Sequence, residues 1–179
     1  MAMWSAAEVL LFCAWLAAAA ATAQTADPAQ VEAGMQVYKT AVCEFCHGGK
    51  GNGGEAHDEY YGRGIEPGPS LVLTKLDRER MIELLSCGTP AGKMPQYLVT
   101  AWTLDRRCYG KVAADLPLED RPLRPSPYAD PPGPYSTLTA SQIEAVVTYV
   151  QEVYQGKGMT LPNCIKYYGP TSRACDLLR

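Results

Sequence analysis

The sequence predicts a mainly α fold interrupted by long irregular loops. Three observations predict it. Apolar residues recur at helical spacing in three separate segments, no segment alternates apolar and polar residues as a half-buried strand would, and 14 Pro and 16 Gly are available to break the chain between helices. The 179 residues fit one domain with additions better than two domains. An apolar share of 47% is enough for a core and excludes a disordered chain. A net charge of −3 with no basic tract excludes a nucleic-acid binder, because phosphates demand clustered Lys and Arg.

Residues 1–23 are expected to be an export signal. Residues 9–21 form an apolar run with no charge, and Ala21-Thr22-Ala23 is a small-x-small cleavage site, which starts the mature chain at Gln24. Residues 1–8 contain no Lys or Arg, and Glu8 is acidic, which departs from the usual signal pattern. The alternative is an uncleaved membrane anchor, for which the apolar run is short against the ~20 residues of a span.

The first helix opens at Asp27-Pro28, with Asp as N-cap and Pro at the first helical position. Val31, Met35, Tyr38 and Val42 then share one face, and the helix is expected to run directly into Cys43. Residues 48–68 hold eight Gly and read as a loop. A second helix is expected over about 78–86, with Met81, Leu84 and Leu85 on one side and Gly88 as its stop. Residues 89–97 read as irregular and contain Met94-Pro95. Seven Pro in residues 117–134 exclude a helix or a central strand there and predict a surface excursion. The last strong helix starts at Thr139, which forms a capping box with Gln142. Ile143, Val146, Val147, Val150 and Val153 give its apolar face, and Gly156 is expected to end it. Residues 157–179 show no clear period, and no internal repeat stands out.

The chemistry sits in Cys43-Glu44-Phe45-Cys46-His47. This is C-x-x-C-H, the attachment signature of a c-type haem. Two thiols three positions apart can reach the two vinyl groups on one porphyrin edge, and the following residue then brings an imidazole under the iron. Two other readings compete. A redox C-x-x-C belongs at the start of a helix after a strand, whereas this one follows a helix. Half of a zinc site would need a second ligand pair at compatible spacing, and the sequence has none.

For the sixth position of the iron, Met94 is the candidate. It lies 47 residues after His47 in a Gly-Lys-Met-Pro turn whose backbone Pro95 restricts. Met/His ligation raises the reduction potential. Met35 and Met81 read as core residues of helices, Met159 is a weaker alternative, and His57 sits in the polar Gly-rich loop where solvation is the default.

Of seven cysteines, Cys13 leaves with the signal and two belong to the motif. Cys87, Cys108, Cys164 and Cys175 remain, an even number that suggests two disulfides in an exported protein. Three pairings are possible. The sequential one, Cys87–Cys108 with Cys164–Cys175, closes the shortest loops and is favoured over the other pairings and over four free thiols.

At this point the chain resembles the class I monohaem cytochrome c family, over residues 31–94 and 138–154. Gly34 and Tyr38 stand where that family has a Gly and an aromatic four residues apart in its first helix. Residues 143–154 match the C-terminal helix that crosses it at the Gly, with Tyr149 near the crossing. Gly68-Pro69-Ser70-Leu71 matches the Gly-Pro-x-Leu stretch whose Pro carbonyl accepts a hydrogen bond from the haem histidine, and Met94-Pro95 matches the axial methionine. The resemblance implies a cytochrome c-type helical fold around one covalent haem c, held by Cys43, Cys46, His47, Pro69 and Met94, with His47 and Met94 on the iron. The expected organisation is a signal over 1–23, a cytochrome c domain over 24–156 and a C-terminal tail over 157–179. A Pro-rich insertion at about 97–135 and the tail depart from the family's minimal pattern, and no subfamily is assigned. Disulfides would pin these additions onto the core.

The resemblance implies a periplasmic, non-enzymatic carrier of single electrons, from a dehydrogenase or bc1-type donor to an oxidase, reductase or reaction-centre acceptor. The alternative is a fixed cytochrome subunit of a larger oxidoreductase. A peroxidase-like enzyme would need an open sixth position, against which Met94 argues. Contact with a membrane is expected only if the signal stays uncleaved. The insertion holds Tyr97, Tyr109, Tyr128 and Tyr135, and it could serve as a docking surface or as cover for the haem. Acidic residues around the haem loop, Glu44, Glu55, Asp58, Glu59 and Glu66, face a basic lean over 75–111 that includes Arg106-Arg107, so no single sign of partner is predicted.

Overall fold

The computed structural model describes residues 26–53, 68–89, 94–120 and 137–179. Expectations for the signal, for His57, for Tyr128 and Tyr135, and for most of the Pro-rich segment fall outside these residues. Among the described residues the structure is helical, and extended pairing is limited to an isolated bridge between Cys108 and Lys111.

Helix α1 spans Pro28–Thr40, and the Asp27 carboxylate accepts the Ala29 N–H at 3.0 Å, as the sequence predicts. The helix does not run into Cys43. Val42 takes a left-handed backbone, φ +56°, which breaks the helix and lets a separate turn, α2 over Glu44–His47, start in a new direction. For a β-branched residue that conformation costs roughly 1–3 kcal/mol, which the surrounding structure must offset. Helix α3, Arg78–Cys87, is capped by Asp77, which accepts from Arg80 N–H at 2.8 Å, and Gly88 ends it at φ +67°. Helix α4, Ala140–Val153, opens with the expected box: Gln142 N–H donates to Thr139 Oγ1 at 3.2 Å and Thr139 N–H to Gln142 Oε1 at 2.9 Å. It ends at Val153, short of Gly156, because Tyr154 leaves the helix to bury its ring.

The tail, which shows no clear period in sequence, nevertheless holds regular structure. Residues Leu161–Tyr168 form α5, and Arg173–Leu178 form a 3₁₀ helix. Pro162 stands in the first turn of α5, and eight residues are too few for a period to emerge. Both expected disulfides are present, Cys87–Cys108 and Cys164–Cys175. The second joins α5 to the 3₁₀ helix.

The core forms where α1 crosses α4. Gly34 makes the crossing possible: a Cβ there would fall 2.0 Å from the Ala145 carbonyl oxygen and 2.7 Å from Tyr149 Cβ. Around it Met35, Tyr38, Ile143, Val146, Val147, Val150 and Val153 are buried. Helix α3 joins through Arg78, whose guanidinium donates to Thr148 Oγ1 at 2.9 Å. A second, smaller cluster of Cys87, Ala101, Trp102 and Cys108 forms a lobe on the end of α3. Tyr97 is buried in the main core, and Tyr109 is half-buried with its hydroxyl bonded to Gly88 O.

Candidate haem-binding site

The site begins with the turn α2. His47 N–H donates to Cys43 O at 3.0 Å, and Cys43 itself has helical dihedrals. Cys43, Cys46 and His47 therefore stand at i, i+3 and i+4 of one helical turn, the spacing that places side chains on one face. The two thiols form no disulfide. Burial pushes the Cys43 thiol up to about 12 and also raises Cys46. A dithiol oxidoreductase uses the opposite, a lowered thiol pKa. Among the described residues no group of three or more His, Cys, Asp or Glu is placed to hold a metal ion.

His47 Nδ1 lies 2.9 Å from Pro69 O. A carbonyl can only accept, so Nδ1 carries the proton and the lone pair of the neutral ring sits on Nε2, the arrangement that ligating histidines use. Burial lowers the His47 pKa and favours that neutral ring, with the Pro69 bond acting in the other direction. Gly68 permits the approach, since a Cβ there would sit 2.8 Å from His47 Nδ1 and 3.0 Å from Cys46 O. Gly68 N–H donates to Cys46 O at 2.7 Å and Gly53 N–H to His47 O at 2.9 Å, so both sides of the loop are tied to the motif.

Three tyrosines hold the backbone after His47. Tyr38 O–H donates to Gly48 O and Tyr154 O–H to Gly49 O, each at 2.8 Å, and the Tyr149 and Tyr154 hydroxyls are 3.0 Å apart. Their rings pack with centroids 5.3–5.6 Å apart. Desolvation raises all three phenols, so they stay protonated and can donate. The sequence pattern marked Tyr38 and Tyr149 only by their helix positions and missed Tyr154 as a support. It also missed α5: Tyr167 donates its O–H to Glu44 between the two thiols, and Lys39 donates to Tyr167 O. No periodicity in the tail could have revealed this.

Met94 is half-buried and packs on the same core cluster that Cys43 borders, together with Leu71, Ile82, Leu85 and Leu98. Met35, Met81 and Met159 are buried within that cluster. Residues 29–114, just under half of the chain, match the family model described as cytochrome C oxidase, cbb3-type, subunit III. The match supports a class I-type monohaem c-type cytochrome. The matched domain implies a covalently bound haem c and supports a role in electron transfer. No curated protein and no solved structure matches the cytochrome. The donor set fits the group: two unpaired thiols and an imidazole with Nε2 left for iron, on one turn of helix.

Proposed function

We propose that the cytochrome is a periplasmic carrier of single electrons that holds its haem through Cys43 and Cys46 and ligates the iron with His47 and Met94. The single observation that carries the assignment is the bond from His47 Nδ1 to Pro69 O, because it orients one particular imidazole beside two unpaired thiols. Bound haem c supplies a one-electron iron couple. The thiols fix the group to the chain, Pro69 sets the tautomer and basicity of His47, and the apolar residues around Met94 exclude water. Met94 provides the neutral thioether that favours the reduced state. In this reading the protein carries electrons and catalyses no reaction of its own, and its partners are redox proteins: a dehydrogenase or bc1-type donor and an oxidase, reductase or reaction-centre acceptor. Residues 1–23 act as a cleaved signal, and N-terminal sequencing of the mature protein should begin at Gln24.

A second reading, a fixed subunit of a larger oxidoreductase, is favoured by the description of the matching family as an oxidase subunit. Size-exclusion of the native protein separates the two: a carrier elutes at its own mass, a subunit with its complex. The ligand assignment is tested on the oxidised protein, which should show the weak near-infrared charge-transfer band of methionine ligation. Met94→Ala should lose it. Persistence of the band in that variant would move the assignment to Met159, and its absence from the wild type would reopen His57.

A further inference from the structure

Helix α3 ends beneath the lobe of residues 97–120. The last carbonyls of a helix have no partner within it, and here three consecutive carbonyls at and just past the helix end, those of Ser86, Cys87 and Gly88, go to donors from the lobe. Leu98 N–H reaches Ser86 O at 3.2 Å, Trp102 Nε1–H reaches Cys87 O at 2.8 Å, and Tyr109 O–H reaches Gly88 O at 2.7 Å. Cys87 is also bonded covalently to Cys108. Among the described residues three non-Gly positions have left-handed backbones, and two of them are Trp102, φ +65°, and Tyr109, φ +51°. The two unfavourable conformations thus belong to the two side chains that reach consecutive carbonyls, and their rings pack 5.9 Å apart.

On its other side Gly88 presses on the Met94 segment. A Cβ on Gly88 would fall 2.6 Å from Gln96 N, 2.7 Å from the Pro95 carbonyl carbon and 2.8 Å from Met94 O. Thr89 N–H donates to Met94 O at 3.1 Å, so the peptide of the methionine is held by Thr89 as well as packed on Gly88. We propose that Trp102, Tyr109 and the Cys87–Cys108 bridge form a clamp on Gly88 that positions Met94, making Trp102 and Tyr109 positioning residues for the axial ligand. This rests on the assignment of Met94 to the iron. A neutral thioether whose backbone is not held in place must be reordered each time it ligates, so its apparent strength as a ligand scales with the fraction of time the Met94 peptide already sits in position. The clamp raises that fraction without touching the iron, by denying Gly88 and the Met94 peptide room to move.

The test uses the oxidised holoprotein and follows the near-infrared band and the far-ultraviolet helix signal through the same urea titration. Tyr109→Phe removes one O–H and keeps the ring; Trp102→Phe removes the N–H. In each variant the band should disappear at lower urea than the helix signal. At a fixed urea concentration below unfolding, the methionine-off fraction should rise roughly fivefold in Tyr109→Phe, the factor one net hydrogen bond supplies. Band and helix signal lost together in Tyr109→Phe, as in the wild type, would overturn the clamp while leaving Met94 as ligand. A wild type without the band, or a band that survives Met94→Ala, would remove the ligand assignment and the clamp with it. Should Trp102→Phe fold poorly, Tyr109→Phe alone decides.

Discussion

Where α1 crosses α4, shape holds the cytochrome together: a missing side chain at Gly34 lets two backbones touch, and large aliphatic and aromatic groups close around the contact. Where the lobe meets α3, four buried residues, Cys87, Ala101, Trp102 and Cys108, cannot supply a comparable core, and a disulfide with side-chain bonds to the helix end takes over. Small apolar clusters need such staples, for the same reason that small secreted domains do. The two regions hold different parts of the candidate site. The crossing, through Tyr38 and Tyr154, holds the backbone that follows His47, and the lobe lies against the peptide of Met94.

The crossing should be the harder of the two to disturb and the more costly to lose. Gly34→Val would put methyl groups where the Ala145 carbonyl already stands, so the helices must separate, at a cost of at least ~3 kcal/mol. Chemical denaturation of the holoprotein should show that loss, or no folded holoprotein should be recovered. A loss below ~1 kcal/mol would mean that the crossing tolerates what its geometry forbids.

The lobe should fail on its own. Cys87→Ser with Cys108→Ser removes a cross-link across 21 residues, worth about 3 kcal/mol by chain entropy. Hydrogen exchange should show faster amides over 98–116 while those of α1 and α4 keep their protection. Equal loss of protection in both regions would erase the distinction between them.

The elements that repeat long enough to show a period were legible in the sequence. Helices α1, α3 and α4 start at Asp27, Asp77 and Thr139 because those side chains accept from backbone N–H groups two or three residues on. The bond between His47 and Pro69 followed from the family pattern, and the sequential disulfides followed from loop length. What escaped depends on contacts distant in sequence. Val42 is helical by pattern, yet the turn that carries the thiols requires it to leave the helix. Tyr97 and Tyr109 lie in an insertion that reads as either docking surface or cover, and the sequence does not reveal that Tyr97 N–H is bonded to Leu85 O on α3 and Tyr109 O–H to Gly88 O just past its end. The tail read as irregular because its helix is short, although Tyr167 joins it to Glu44 within the motif.

A third contact sharpens the comparison at its weakest end. Lys166 on α5 pairs with Glu32 on α1, and that hydrogen bond holds the Glu32 carboxyl below its ordinary value. A carboxylate depressed in the folded state stabilises above the unfolded pKa, and the gain fades as pH falls from about 4.5 through the folded value. Both side chains are largely exposed, so Glu32→Gln should cost at most ~0.5 kcal/mol near neutral pH and nothing at high salt. A salt-independent loss above ~1 kcal/mol would place this contact with the core instead of the surface.

The central claim, that Cys43 and Cys46 hold a single haem c, is tested most directly by mass spectrometry of the purified mature protein and of its peptide spanning residues 43–47. The account predicts an intact mass of one polypeptide plus one haem, with the added mass on that peptide and resistant to acid–acetone extraction. It predicts the bare polypeptide for Cys43→Ala with Cys46→Ala. A wild-type protein at the bare polypeptide mass, or one that retains zinc in place of haem, would contradict it.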